Sequence, residues 1–253
     1  YASIDSQLER AFKAFYEGKL GLNLKRDCEL IEASEKQIIA RWRNPCPVLE
    51  ACKALGLDTK KVCKLCYEGP ARAFMKRIAP NIFFSRNYSH LRPRANACEE
   101  VLELVSQAEW MERLLKEENI NGELIKTGEA KSVEQAAREV GCERSEIIKS
   151  LVLVDEKSLP VVFIVRGDCK LDLSKARQIA GVVRFASPSE VLELTGFEVG
   201  GVPPLGHYCR LYVDLKVLEK ESVYGGGGDS EHLLKLSTNE FKRFNARFVE
   251  VAK

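Results

Sequence analysis

Residues 147–166 read IIKSLVLVDEKSLPVVFIVR. Two apolar, β-branched runs, Ile148–Val154 and Val161–Arg166, flank a polar segment, so each reads as a strand. Working outward, helix signals bracket them. Upstream, Ser132-Val133-Glu134-Gln135 is a capping box whose helix closes at Gly141. Downstream, Ser187-Pro188-Ser189-Glu190 is a second box with proline at the first helical position, and its helix closes at Gly196. Cys209–Leu215, Ser222–Tyr224 and Leu233–Leu236 read as further strands, and Ser237-Thr238-Asn239-Glu240 as the cap of a last helix. An amphipathic helix over Gln107–Glu117, carrying Trp110, Leu114 and Leu115, opens this half. Short strands interspersed with local helices predict an α+β domain.

The pattern changes character near residue 105, which divides the chain into 1–105 and 106–253. The first part opens with a helix carrying Leu8, Phe12, Phe15 and Leu20, ended by Gly18 and Gly21. Cys28–Glu32 and Gln37–Trp42 read as strands. Asn44-Pro45-Cys46-Pro47 opens a helix that Gly56 stops, Asp58 caps the next, and a third spans about Pro70 to Arg77. Ile82–Arg86 and Ala97–Leu104 read as two more strands around the basic loop His90–Arg94.

Composition narrows the class. The chain has 253 residues, 45% hydrophobic and 30% charged, a globular profile. Its longest purely apolar run is far below the ~20 residues that span a bilayer. The opening stretch Tyr1–Gly18 shows no apolar export segment, and nine cysteines are an odd number, so we expect a cytoplasmic protein with reduced thiols. The net charge of +2 hides an asymmetry: Lys36 to Cys98 holds 13 Lys and Arg against Glu50, Asp58 and Glu68. A block of that kind is either a solvated basic face or a surface for a polyanion. Cys63-Lys64-Leu65-Cys66 is a CxxC, but Cys46-x5-Cys52 lacks a tight chelating turn, and Val62 and Leu65 favour packing over metal.

Three features of the second part carry chemistry. Alternation puts Lys149, Leu151 and Leu153 on one face of a strand. Such a lysine either reaches solvent over a buried stem or points into a cleft. Gly200-Gly201-Val202-Pro203-Pro204-Leu205-Gly206-His207 is a loop of fixed shape that can present main-chain groups to a ligand, or a plain connector. Gly225–Gly228 has more glycines than a hairpin needs, so something packs against that backbone. There is no GxSxG or HExxH, and Cys142, Cys169 and Cys209 have no evident partner base.

In this order, VEQAAREVG, IIKSLVLVD, VVFIVRGDCKLDL, SPSEVLELTGFEVGGVPPLGH, LYVDLKVL and VYGGGG resemble the YbaK/EbsC/ProX aminoacyl-tRNA deacylase domain, also found inserted in bacterial prolyl-tRNA synthetases. The resemblance implies a mixed, barrel-like sheet flanked by helices, and hydrolysis of the ester joining a wrong amino acid to the tRNA 3′ end. It implies no metal and no other cofactor. Lys149 fits the family's lysine and Gly200 to Pro204 its GxxxP loop. Carried over, Lys149, Gly200, Gly201 and Pro204 are catalytic, while Ser150, Pro203, His207, Gly226, Gly227 and Gly228 hold the substrate. On this reading Lys149 and the loop meet across one cleft. Cysteine-specific relatives carry a serine before their glycines and an acidic residue farther on; GGGGDSEHLLKL departs from both.

The expected activity is a trans-editing hydrolase acting on a tRNA(Pro)-type substrate that carries a small wrong amino acid. The basic surplus of the first part (Lys60, Lys61, Lys64, Arg92 and Arg94, with Lys76, Arg77 and Arg86) would hold the tRNA backbone, and Tyr88 and His90 would stack on a base. Two other readings stay open: a ligand-sensing regulator that binds charged tRNA or a small molecule without hydrolysis, and an amidohydrolase centred on Cys46. The first part also resembles, at fold level, aminothiazoline-carboxylate hydrolase-like and vinyl-reductase-like domains through Cys46, Cys66 and Cys98.

Overall fold

The polypeptide packs as two units divided between Ser106 and Gln107, in a computed structural model that describes residues 7–130 and 132–253. Tyr1–Ser6, part of the stretch read for an export signal, lies outside the described residues.

In the first unit, α1 (Gln7–Lys13) runs on into a π-helical turn over Ala14–Lys19, and a short α2 (Leu24–Asp27) leads to β1 (Cys28–Ala33) and β2 (Gln37–Trp42). Next comes α3 (Pro47–Leu55), which ends where Gly56 turns left-handed. A continuous helical run follows: α4 (Thr59–Cys63), a π segment over Lys64–Glu68, and α5 (Gly69–Ile78). Asp58 caps it by accepting from the Lys60 N–H at 2.9 Å. β3 (Ile82–Asn87) and β4 (Cys98–Leu104) complete an antiparallel sheet of order β1-β2-β4-β3. The apolar stripe of α1 and the π-helical turn after it, with Leu8, Phe12, Phe15 and Tyr16, packs on Ile38, Ala40 and Trp42 of β2 and on Met75, Phe84 and Leu102. Inside this core Glu100 accepts from Tyr16 (2.5 Å) and Tyr67 (3.3 Å) and pairs with Arg86 at 2.7 Å. Two tyrosines thus reach one carboxylate from two π-helical turns.

In the second unit, α6 (Gln107–Glu117) precedes β5 (Gly122–Lys126), α7 (Val133–Val140), β6 (Ile148–Asp155), β7 (Pro160–Arg166), α8 (Leu173–Ala180), β8 (Val183–Phe185) and α9 (Pro188–Thr195). After the Gly–Pro loop come β9 (Arg210–Asp214), β10 (Ser222–Gly226), β11 (His232–Ser237), α10 (Glu240–Arg243) and β12 (Arg247–Val249). They form a mixed five-stranded sheet, β12-β9-β7-β6-β8, and a three-stranded antiparallel one, β10-β11-β5. A single bridge, Ile147 to Tyr224, links the two. The sheets are barrel-like in this linkage; no closed barrel is formed among the described residues.

Both faces of β7 are buried, which explains its unbroken apolar run. Phe163, Val161 and Val165 join Leu153, Leu171, Ala176 and Tyr212 in one core cluster. Ser187 and Glu190 form the complete capping box of α9. The expected cap of α10 is different: Asn239 makes no side-chain cap, and Thr238 Oγ1 instead donates to the carbonyls of Lys220 (2.8 Å) and Glu221. The residues there tie the helix entry to the strand connection rather than to the helix itself.

Candidate functional site: a buried Gly–Pro loop on a glycine strand

The Gly–Pro loop is not a surface connector. Gly200 is exposed, but Gly201 through His207 are all buried. The loop is seated on the glycine run by direct contact of backbones. A Cβ on Gly226 would lie 2.6 Å from the Val202 carbonyl oxygen and 2.8 Å from the Gly201 carbonyl carbon. One on Gly201 would lie 2.9 Å from Asp229 Cα and from the Gly228 oxygen. The Gly228 N–H donates to the Gly201 carbonyl at 2.9 Å. Gly225 receives the Pro204 ring and the Ile148 side chain, 3.1 and 3.2 Å from where its Cβ would stand. Gly227 is closed against the backbone of His232.

This seating has a chemical consequence. The Gly201 N–H is used on the Glu198 carbonyl (3.0 Å), whereas the N–H groups of Val202, Leu205, Gly206 and His207 meet no backbone acceptor among the described residues. Unused donors concentrated in a buried segment are what a developing oxyanion, or a bound carbonyl, requires. Pro203 and Pro204 contribute rigidity and no donor.

Lys149 stands elsewhere than the shared-cleft expectation put it. Its ammonium donates to the carbonyls of Gly167 (3.0 Å) and Cys169, in the turn after β7. Strand alternation is the reason. Ile148, which touches Gly225, and Ser150 share the face turned to the Gly–Pro loop; Lys149 takes the other face, with Leu151 and the buried Leu153. Lys149 and the loop therefore occupy the same end of β6 from opposite sides. An ammonium has three donors. Two go to the turn, and the third has no protein partner among the described residues. Burial lowers its pKa from the usual lysine value, and the neighbouring Cys169 and Asp168 push it back up.

His207 is buried, and its Nδ1 accepts from the Cys209 N–H at 3.1 Å, which places the ring proton on Nε2. Burial pushes its pKa down to about 4, against an upward pull from the Pro204 carbonyl. The unfolded chain, with a histidine near pH 6.5, binds the extra proton first as pH falls. Stability therefore drops between about pH 6.5 and 4, by up to roughly 3 kcal/mol, and levels off below. Thermal melts of wild type and His207→Gln over that range should show this slope in the wild type and lose it in the variant.

Sequence reasoning passed over Asp229 and His232, whose Oδ1 and Nδ1 are 2.7 Å apart directly after the glycine run. Their i,i+3 spacing, beside the backbone on which Gly201 rests, was the available signal. An open polar cleft of about 820 Å³, lined by Glu123, Lys220, Glu221 and Lys235 among others, includes none of the expected site residues. Among the described residues no group of three His, Cys, Asp or Glu side chains is arranged for a metal ion.

The expected nucleic-acid face needs correction. Lys60, Lys61, Lys64 and Arg94 are exposed. Arg92 is partly buried and already engaged, donating to the Asn44 carbonyl (2.8 Å) and to Cys98 Sγ (3.3 Å). Arg86 is spent on Glu100, and Lys76 is buried with its ammonium on the Pro80 carbonyl. Tyr88 donates to Glu68 at 2.6 Å and lies under Lys60 Nζ, and His90 is only partly exposed, so neither presents an open face for a base. Counting charges along a sequence cannot tell these internal pairs from surface cations.

The profile of the aminoacyl-tRNA editing domain matches residues 127–244. Uncharacterized protein YwhH of Bacillus subtilis (strain 168) is 37% identical over 117 residues, 45% of this chain and 74% of that protein. The chain belongs to the aminoacyl-tRNA editing domain family. The editing domain is also 34% identical over 108 residues to the proline–tRNA ligase of Thermodesulfovibrio yellowstonii, covering 43% of this chain but only 19% of the ligase. Among solved structures it resembles a proposed trans-editing enzyme for prolyl tRNA synthetase (32% identity, TM-score 0.55, 60% of this chain and 99% of that one). It also resembles the hypothetical protein APE2540 (33% identity, TM-score 0.53, 56% and 98%). No helix among the described residues is long and apolar enough to cross a membrane.

Proposed function

We propose that the protein is a trans-editing deacylase that removes a small wrong amino acid from a tRNA(Pro)-type substrate in the cytoplasm. The observation that carries this reading is the buried loop Gly201–His207, seated on Gly225–Gly228 with unused N–H donors, in an editing-domain fold. An aminoacyl ester is already activated, so the protein need only place a water or a ribose hydroxyl and stabilise the oxyanion. Attack by the water oxygen forms the new C–O bond, the ester bond to the ribose oxygen breaks, and that oxygen takes the proton the water gives up; a neighbouring ribose hydroxyl serves only to orient the water. In this scheme the open N–H groups of Val202, Leu205, Gly206 and His207 receive the acyl oxygen, Gly200, Gly201, Pro203 and Pro204 hold the loop that presents them, and Gly226, Gly227 and Gly228 are its bed. The third donor of Lys149 takes the phosphate of the terminal nucleotide at the end of β6.

A panel of aminoacyl-tRNAs, with release of labelled amino acid followed in time, tests the proposal. Release of one or a few small amino acids supports it, and no release of any overturns it. The same panel separates this reading from that of a regulator, which would bind charged tRNA and release nothing.

In this proposal Lys60, Lys61, Lys64 and Arg94 of the first unit hold the tRNA backbone, with Arg92 limited by its internal bonds. Replacing the three lysines together by alanine should weaken tRNA binding and reduce the slope of log K against log salt by about 2. Filter-binding titrations across a salt series check this; an unchanged slope places the tRNA elsewhere.

A further inference from the structure

The turn that receives Lys149 is itself clamped. Arg166, at the end of β7, closes on Asp168 with two parallel bonds: Nε donates to Oδ1 at 3.0 Å and Nη2 to Oδ2 at 2.5 Å. Its remaining edge donates to Glu219 at 2.7 Å. A two-point guanidinium–carboxylate pair fixes direction as well as distance. The Arg166 side chain is only 16% exposed, so water competes little for it. Asp168 stands in sequence between Gly167 and Cys169, the two residues whose carbonyls hold the Lys149 ammonium. Strand register puts the two grips on opposite faces: Arg166 pairs with Ile148, and Lys149 with Val165. The turn is also pinned from beneath. The Gly167 N–H donates to the Ile147 carbonyl at 2.6 Å, and a Cβ on Gly167 would lie 2.6 Å from Val133.

The charges around Lys149 come from three places. Cys169 and Asp168 belong to the turn, Glu134 to α7, and Arg144 to the segment before β6. Glu134 and Arg144 pair with each other at 2.9 Å and largely cancel. Burial raises the pKa of the Cys169 thiol, which keeps it neutral at neutral pH. Asp168 is therefore the anion that supports the charged lysine. Released from Arg166, its carboxylate would be drawn to the ammonium and would occupy the one donor left for a ligand. We propose that Arg166 and Asp168 are positioning residues for Lys149: the clamp shapes the turn whose carbonyls aim the third ammonium donor, and Arg166 keeps the Asp168 carboxylate from closing on that donor. This inference rests on the deacylase reading and adds how its lysine is aimed and kept free.

The test is the pH profile of single-turnover deacylation, on the ester released fastest in the aminoacyl-tRNA panel, with uncatalysed hydrolysis subtracted. Wild type, Asp168→Asn, Arg166→Gln and Arg166→Lys are compared, with a thermal melt of each. The wild-type rate should fall where Lys149 loses its proton, below the ordinary lysine value. Asp168→Asn should slow the reaction at neutral pH by roughly 10-fold and move this alkaline limb to lower pH by about one pH unit, because the supporting anion is gone. Arg166→Gln should also slow it but move the limb to higher pH, because a cation is lost and the freed carboxylate pairs with the ammonium. Arg166→Lys keeps the charge without the fork, so it should lose part of the rate and leave the limb in place. If Arg166→Gln fails to fold, Asp168→Asn and Arg166→Lys decide. Variants that slow the reaction with an unmoved limb assign the clamp to the fold alone and overturn the inference. So do limbs that move in the same direction in Asp168→Asn and Arg166→Gln, or a wild type without an alkaline limb. Hydrolysis of no ester by wild type instead overturns the deacylase reading beneath it.

Discussion

Replacing Lys149 by alanine is expected to slow single-turnover deacylation by about 10²-fold, the cost of misplacing the ester once the contact that holds the terminal nucleotide is lost. Affinity for tRNA should change little, because most of the binding free energy of a tRNA comes from many backbone phosphates and one lysine is a small part of it. The ammonium also ties down the turn after β7 through the carbonyls of Gly167 and Cys169, so some loss of stability will accompany the change. The experiment therefore needs three readouts: rate, tRNA affinity and unfolding midpoint. Lys149→Arg separates the roles further. It keeps the charge and the capacity to hold the turn but changes the reach of the free donor. A folded Lys149→Ala protein that turns over at the wild-type rate would remove this lysine from the reaction.

Gly226→Ala is expected to be strongly disruptive to the second unit. The new Cβ would stand 2.6 Å from the Val202 oxygen and 2.8 Å from Gly201 carbonyl atoms, and main-chain atoms cannot rotate out of the way as a side chain can. Either β10 or the loop must move, at a cost of about 3 kcal/mol. Activity should fall with it, since the loop's N–H groups would lose their aim. The same substitution at Gly69 meets nothing within 4 Å and lies in helical backbone, so Gly69→Ala should stabilise by about 0.5–1 kcal/mol. Urea denaturation of both variants checks the contrast in sign. Equal midpoints would mean that the loop is free to shift on its bed.

Much of the fold could be read from local signals. β6 and β7 were legible because an apolar, β-branched run interrupted by a polar turn has few other readings. α9 was legible because Ser187, Pro188, Glu190 and Gly196 mark both of its ends. β5, β8 and β12 went unread: each is short, and β12 exists only because Arg247–Val249 lies parallel to Tyr212–Asp214, a pairing that local sequence does not encode. α8 was also missed, although Asp172 caps it by accepting from the N–H groups of Ser174 and Lys175. The CxxC shows a different limit. Cys63 is buried against Leu91 and Cys98 while Cys66 is exposed, because a π-helical segment begins between them and alters which residues share a face.

The candidate site was legible in its parts more than in its arrangement. The glycine run announced that a backbone would pack on it, and the packed chain is the Gly–Pro loop. Period-2 alternation already placed Lys149 beside Leu151 and Leu153; what it did not reveal is that the loop covers the opposite face. The link from Arg166 and Asp168 to Lys149 runs through two main-chain carbonyls of a turn and has no signature in composition or spacing.

The atoms nearest to where a Gly226 Cβ would stand are main-chain atoms of Gly201 and Val202. That contact is made by the main chain at positions 201 and 202 and does not depend on the side chain at 202. Such an arrangement lets an editing enzyme exchange one client amino acid for another by stepwise replacement of pocket-wall residues, while the apparatus that handles the ester stays fixed.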